Sequence, residues 1–434
     1  MQQIMFEGVR CFHDLQICPI KPITLLVGEN SSGKTTFLAL TRIAWDIVNL
    51  NLIEDIFNQE PFLLGSYDQI ATFRGGRAGR VKSFTIGADI KIKLDLNQID
   101  TNIIFSDTIM IKANFVQRGS ESRLSEWSFV CGDFSIIAKE LAKKSGIEIT
   151  IINKLAHIKG IEVIGTDWNT LRFSFLNLSL IRDDLRQELN ISKSESEVID
   201  MLFAQIFHFG SKRPYAFAPI RTRPKRTYDP LKSVYDPEGS HVPMVLNKIL
   251  SEKENSSALR QALESFGKAS GLFQSIEVKH KGNKDSDPFQ LGVKMTGPSF
   301  NLVDVGYGVS QVLPIIVDII LNPSDSTFLL QQPEVHLHPQ AQAELSSFLA
   351  SVAKEQNKNF IIETHSDYII DRVRMDVRDK KYLTPDDVAI LYFDKQQGNV
   401  KIHKLELDEY GNITNAPPTY RQFFLTEERR MLGI

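Results

Sequence analysis

Apolar positions along this chain follow two periods, and the places where one gives way to the other divide it into blocks. Ile4 to Ile17 alternates as paired strands do, and ITLLVG, Ile23–Gly28, is a continuous apolar run that predicts a buried strand. A helix is predicted from Lys34 to about Asn49. From Val81 to roughly Leu180 the period is mostly two, in SFTIGADIKIKL, TIMIKANFV, EITIINK and LRFSFLNL, with turn residues between them, which predicts an antiparallel β lobe. Helical spacing returns in ESEVIDMLFAQIFHF, Glu195 to Phe209, and from Val242 to Phe273, so a helical subdomain is expected there.

After the polar break KHKGNKDSD, Lys279 to Asp287, helices and short strands alternate. Helix Val309 to Leu321, strand Thr327 to Leu330, helix Pro339 to Gln356, strand Phe360 to Glu363, helix Tyr368 to Val377 and strand Val388 to Phe393 follow in turn. That order predicts an α/β core with a mainly parallel sheet covered by helices. The expected division is 1–60 as the first part of the core, 61–185 as the β lobe, 186–300 as helices and linker strands, and 301–434 as the rest of the core and a tail.

Composition narrows the function classes. With 434 residues, 42% hydrophobic and 24% charged, the chain can bury a large core in two lobes. A formal net charge of −3 argues against a wholly basic nucleic-acid sleeve and leaves only local basic patches. Three cysteines, Cys11, Cys18 and Cys131, stand in no metal-ligand spacing and are read as buried small hydrophobes in a reduced, cytoplasmic compartment. No signal peptide or membrane span is read from the sequence.

GENSSGKTT, Gly28 to Thr36, carries glycine, glycine, lysine and threonine at the spacing of a phosphate-binding loop. A buried strand precedes it and a helix follows, so successive backbone N–H groups can curl around phosphate oxygens at a helix N-terminus. In this reading Asn30, Ser31, Ser32, Gly33, Lys34, Thr35 and Thr36 hold nucleotide, Lys34 neutralises the β- and γ-phosphates, and the Thr35 hydroxyl ligates Mg²⁺. NLVDVGYGVSQVLP, Asn301 to Pro314, places Gly306 and Gly308 at the opening of an apolar helix, a weaker anion-binding signal. Next come FLLQQPEVHLHP, Phe328 to Pro339, and a strand ending in ETHSD.

In that order the parts resemble the ATP-binding-cassette-like head ATPases of the RecF and OLD group, especially the compact ATPases of bacterial anti-phage systems. The resemblance implies that Gly28 to Thr36 is Walker A, that Gly306 to Gln311 stands in the signature position, and that Phe328 to Pro339 is Walker B with its following loop. It makes His365 the switch histidine and Gln69, in GSYDQIATF, a weak candidate for the Q-loop metal contact. The segment YAFAPIRTRPKRTYDP, Tyr215 to Pro230, resembles the smaller defence ATPases. ATP and Mg²⁺ are the implied cofactors, and a head-to-head homodimer or larger homo-oligomer is the implied assembly. A separate nuclease subunit of HNH or TOPRIM type is the implied partner, with DNA reached through the complex. A RecF-like ATPase that clamps DNA directly is the alternative.

Two departures bear on the chemistry. Gly306 stands where a signature motif usually has serine, leaving the Gly308 backbone and the Ser310 side chain as candidate γ-phosphate donors. Gln331 and Gln332 stand where an ATPase needs one carboxylate for the metal's water shell and another for the attacking water. An amide does neither, so slow or partner-dependent hydrolysis is expected, with Glu334 as the nearest acid able to act as base. Arg221, Arg223, Lys225 and Arg226 form a cationic run that reads either as a phosphate, DNA or acidic-partner contact or as a solvated loop. RGGRAGRVK, Arg74 to Lys82, poses the same question. His336 and His338 fit no strong metal spacing and are given structural or dimer-loop roles, and the tail offers Phe423, Phe424 and Leu425 as an apolar anchor, more simply packed on its own lobe.

Overall fold

The computed structural model describes residues 1–49, 51, 55–76, 79–92, 104–141, 146–152, 157–164, 168, 192–210, 213–230, 234–251, 257–282, 284 and 287–433. The first elements are β1 (Gln3–Glu7), β2 (Gln16–Pro19), β3 (Ile23–Gly28), α1 (Lys34–Val48), β4 (Asn58–Gln59), β5 (Phe62–Leu63) and α2 (Tyr67–Ile70). Strands β6 (Ser83–Lys91), β7 (Thr108–Arg118), β8 (Glu121–Cys131), β9 (Phe134–Glu140), β10 (Gly146–Ile152) and β11 (His157–Ile164) follow. Then come α3 (Lys193–Gly210), β12 (Tyr215–Phe217), α4 (Val242–Ser251), α5 (Ser257–Ser270), β13 (Ser275–His280), β14 (Phe289–Lys294) and β15 (Ser299–Asn301). The last stretch holds α6 (Tyr307–Leu321), β16 (Thr327–Gln331), α7 (Pro339–Gln356), β17 (Asn359–Glu363), α8 (Asp367–Arg378), β18 (Val388–Gln396), β19 (Asn399–Leu405) and α9 (Gln422–Leu432).

Two compact units result, one of Met1–Ile20, Glu29–Arg213 and Phe393–Ile402, the other of Lys21–Gly28, Pro214–Tyr392 and His403–Ile434. The first unit is built on an eight-stranded sheet in the order β11-β10-β9-β8-β7-β6-β1-β2, antiparallel at every pairing. Along β7 buried and half-buried residues alternate, as a sheet with one covered face requires. Helix α1 lies over this sheet, and the indole of Trp127 on β8 donates to the Ile47 carbonyl at 3.2 Å. The stretch LRFSFLNL lies outside the described residues.

The second unit carries most of a six-stranded sheet in the order β12-β16-β17-β3-β18-β19. Here β12, β16, β17 and β3 are mutually parallel, in a register that sets Gln331 opposite Glu363 and Glu363 opposite Leu26. The expectation of a mainly parallel sheet therefore narrows to these strands, since the larger sheet is antiparallel throughout. All of β16 is buried, which explains its unbroken apolar run. Helix α6 is buried continuously from Gly308 to Ile319 and forms the centre of a core shared with Leu345 on α7 and Val373 on α8. The helical segments expected between 186 and 300 fall in both units: α3 in the first, α4 and α5 in the second with the three-stranded sheet β13-β14-β15.

Candidate functional site

In the first unit the phosphate loop runs directly into α1. Gly33 is the helix N-cap in a left-handed conformation, with no capping side chain and no acid in the first turn, so the positive end of the helix dipole is not offset locally. Lys34 is buried, and its Nζ donates to the Glu29 carbonyl at 2.6 Å, joining the two ends of the loop. Ser32 and Thr36 are buried, whereas Asn30, Ser31 and Thr35 are exposed. Arg10 was not singled out in the sequence, yet its guanidinium donates to the Thr36 hydroxyl at 3.1 Å and to the Leu64 carbonyl at 3.0 Å. Burial lowers the Arg10 pKa. Nothing in the local sequence separates Arg10 from a surface arginine.

These residues suit a polyphosphate: a lysine, an uncapped helix start and an exposed threonine hydroxyl. They suit Mg²⁺ less well. The Gln69 carboxamide, proposed as a metal contact, accepts the Ser66 N–H at 2.9 Å and caps α2. Gln331, in the second unit, is a neutral amide where a hard cation prefers a carboxylate. Among the described residues no group of three or more His, Cys, Asp or Glu could hold a metal ion.

In the second unit the C-terminal ends of β3, β16 and β17 share one sheet edge, which carries Gly28, Gln331 and, beyond Glu363, Thr364 and His365. Gln331 is buried and its amide nitrogen has no hydrogen-bond partner among the described residues. Gln332 turns with φ 42°, and its N–H donates to the Glu363 carbonyl at 2.8 Å. The turn that follows places Glu334 in the interior, 8% exposed, where Oε1 accepts the His365 N–H at 2.8 Å and Oε2 has no hydrogen-bond partner among the described residues. Burial raises the Glu334 pKa against the opposing pull of the His365 N–H, its own backbone N–H, the Thr364 hydroxyl and, more weakly, Arg221. His365 itself is exposed.

For Arg221 alone neither reading of the cationic run holds. It is neither a solvated side chain nor a surface contact but is 2% exposed, with Nη2 donating to the Gln331 carbonyl at 3.2 Å. Its backbone N–H donates to Gln311 Oε1 on α6, also at 3.2 Å. Burial pulls its pKa down to about 10 and Glu334 opposes that shift. One chain of polar contacts thus runs from α6 through Arg221 to the end of β16, and Glu334 is tied to the end of β17. Of the other cations, Arg226 pairs with Asp304 at 2.6 Å, while Arg223 and Lys225 are exposed.

Helix α6 opens at Gly306 without a capping side chain or first-turn acid. Gly306 and Tyr307 are exposed, but Gly308 and Ser310 are buried. A Cβ on Gly308 would lie 3.0 Å from the His336 carbonyl, a tight contact that would push the carbonyl back by a few tenths of an ångström. The Ser310 hydroxyl donates to the Tyr307 carbonyl at 2.9 Å instead of standing at the surface as a phosphate donor. His338 caps α7, its Nδ1 accepting the Gln340 N–H at 3.3 Å, and the exposed His336 ring lies 5.7 Å from that of Tyr307. In RGGRAGRVK, Arg80 donates to the Ala71 carbonyl at 2.8 Å and Arg77 lies outside the described residues. At the tail Arg421 pairs with Asp367 at 2.9 Å and Leu425 is exposed, while the Phe423 and Phe424 side chains lie outside the described residues. None of the three cysteines forms a disulfide, and Cys18 and Cys131 are buried. Among the described residues no helix is long and apolar enough to cross a membrane.

Residues 225–370 match the family model for an AAA ATPase domain, a span that holds α6, Gln331, Glu334 and His365 and begins well after the phosphate loop. Residues 383–418 match the model of a protein family of unknown function. No curated protein matches. Among solved structures, the Smc head domain with a coiled coil and joint from Pyrococcus yayanosii aligns over 99% of each chain at 10% identity and a TM-score of 0.45. The SMC head domain from Thermotoga maritima aligns over 93% of this chain and 98% of its own at 10% identity and a TM-score of 0.41. Both scores are too low to carry a functional argument.

Proposed function

We propose that the chain is an ATP-binding ATPase subunit that works as a dimeric switch with slow or partner-dependent hydrolysis. The observation that carries the reading is the shared edge of β3, β16 and β17, which ends in Gly28, Gln331 and the Glu363–His365 turn. Ligands of α/β sheets bind at such C-terminal strand edges. The family match over 225–370 supports an ATPase domain independently of the phosphate loop. Mg²⁺, when bound with ATP, would neutralise phosphate charge. Thr35 is the oxygen ligand the phosphate loop would offer it. Lys34 and the α1 N-terminus would bind and orient the phosphates, and Glu334 would take the proton of the attacking water.

The finer identity rests on the sequence resemblance. It makes the chain most like the ATPase subunit of the Septu anti-phage system, a dimer or larger homo-oligomer that restrains an HNH nuclease acting on DNA in the cytoplasm. A phosphate-release assay on the wild type, Lys34→Ala, Gln332→Glu and Glu334→Gln tests the chemistry. Lys34→Ala is expected to abolish nucleotide binding and Gln332→Glu to raise a slow wild-type rate. A wild-type rate already on the order of 10 s⁻¹, typical of efficient enzymes, would sink the slow-switch reading. Plasmid cleavage by this chain alone with Mg²⁺ would sink the role assigned to a partner nuclease.

A further inference from the structure

Residues 222–225 and 227–229 roof a cavity of about 180 Å³ in the second unit. The roof is held at both ends. At one end Arg221 is fixed to Gln311 and Gln331, and the Thr222 N–H donates to the Glu238 carbonyl at 2.9 Å. At the other end Tyr228 and Phe289 exchange two backbone hydrogen bonds of 2.9 Å, and their rings stack 5.6 Å apart. The wall opposite includes Leu313 and Pro314 of α6, against which Gly239 packs so closely that a Cβ would fall 2.6 Å from Pro314.

The lining divides by chemistry. The apolar part of the lining includes Tyr228, Met244, Leu313 and Pro314. Arg223 and Lys225 line it too, are exposed and have no ion-pair partner among the described residues, with Asp229 the one acid in the lining. Ser310 also lines the cavity, and because Pro314 has no N–H, the Ser310 carbonyl lacks its helical donor. An apolar cavity of roughly 150 Å³ accepts a benzene ring, so this one has room for a small heteroaromatic body.

We propose that this cavity is a second ligand site that takes a nucleotide unit, base inside and phosphate on Arg223 and Lys225. The unit is either a free mononucleotide or the 5′-phosphorylated end of a strand. Its occupant would touch Ser310, Leu313 and Pro314, so occupancy would bias the helix that opens at Gly306. The binding site itself does not depend on the proposed ATP reading, although that effect on α6 does.

The test uses the full chain carrying Lys34→Ala, so that binding at the phosphate loop is removed. ATP binding by the wild type is measured separately, which keeps failure of the ATP reading distinct from failure of this one. The probes for calorimetric titration are AMP, dTMP and a 5′-phosphorylated decathymidylate. Saturable binding of at least one probe, weakened tenfold or more by Arg223→Glu and by the cavity-filling Met244→Trp, supports the site. Binding of the mononucleotides as well as the oligonucleotide assigns a free nucleotide, and binding of the oligonucleotide alone assigns a strand end. No saturable binding of any probe, or binding undiminished by Arg223→Glu, overturns the proposal, and Arg223→Glu decides even if Met244→Trp fails to fold.

Discussion

Glu334 and His365, on turns after two neighbouring parallel strands, are joined by a 2.8 Å hydrogen bond from the His365 backbone N–H to Glu334 Oε1. Among the described residues the other carboxylate oxygen has no hydrogen-bond partner, so one oxygen is held and the second remains able to accept a proton. Replacing the carboxylate by an amide keeps an oxygen for the His365 N–H and removes the base. Glu334→Gln is therefore expected to leave nucleotide affinity and the thermal midpoint nearly unchanged. Phosphate release should fall ~10²- to 10⁴-fold, the usual contribution of a positioned general base. Single-turnover hydrolysis at saturating ATP checks this, and an unchanged rate removes Glu334 from the chemistry.

Arg221 and Glu334 are both buried, each is drawn toward neutrality by burial, and each opposes the other's shift. No direct contact joins them, so removing Arg221 costs chiefly the donor of a buried carbonyl, about 1–3 kcal/mol, and takes away a more distant positive charge that favours the Glu334 carboxylate. Arg221→Met should lower the urea midpoint accordingly. The double variant Arg221→Met, Glu334→Gln should be more stable than Arg221→Met alone, because the carboxylate that lost this charge is gone. Additive losses would mean that the two side chains do not interact.

Arg221 also marks where sequence reading reaches its limit. The strands and helices from 307 to 393 were legible because each is a clean apolar period bounded by turn or capping residues, and Ile23–Gly28 was read to the residue. Arg221 stands in a run of four cations within six residues, which locally signals exposure. Its burial depends on a carbonyl 110 positions further along the chain, at Gln331, and on Glu334, neither of which a local window contains. Gln69 carries a similar ambiguity: a glutamine three residues after a serine can cap a helix, and this one does. The reach of the antiparallel sheet was missed because β1 pairs with β6, a contact that periodicity does not encode.

Gly33 couples the phosphate loop to the start of the chain. Its φ is 92°, and a Cβ there would lie 2.7 Å from the Phe12 ring and 2.8 Å from Cys11 Sγ. Phe12 is fully buried against Phe6 and Phe393 and cannot easily move aside. Gly33→Ala thus adds backbone strain of about 1–3 kcal/mol to a steric clash at the N-cap of α1. Nucleotide affinity measured by fluorescence titration is expected to fall at least tenfold, with a lowered thermal midpoint. Wild-type affinity in this variant would show that the loop does not need its left-handed residue.

Lys358 supplies a pH dependence whose sign can be worked out. It is 1% exposed, donates to the Ile319 carbonyl at the end of α6 and to Gln356 Oε1, and is pulled down to about 8 by burial. Both acceptors favour the ammonium, so desolvation is the larger effect. In the unfolded chain a lysine titrates near 10.4. Between about pH 8 and that value the unfolded state holds a proton that the folded state has released, so this group makes stability rise with pH across the window. Below pH 8 both states are protonated and its contribution is flat, with the folded state less stable by about 3 kcal/mol than it would be without the shift. Unfolding free energies measured by urea at pH 7.5, 8.5 and 9.5 should therefore rise more steeply in the wild type than in Lys358→Met. Parallel curves for the two proteins would mean that Lys358 keeps an ordinary pKa despite its burial.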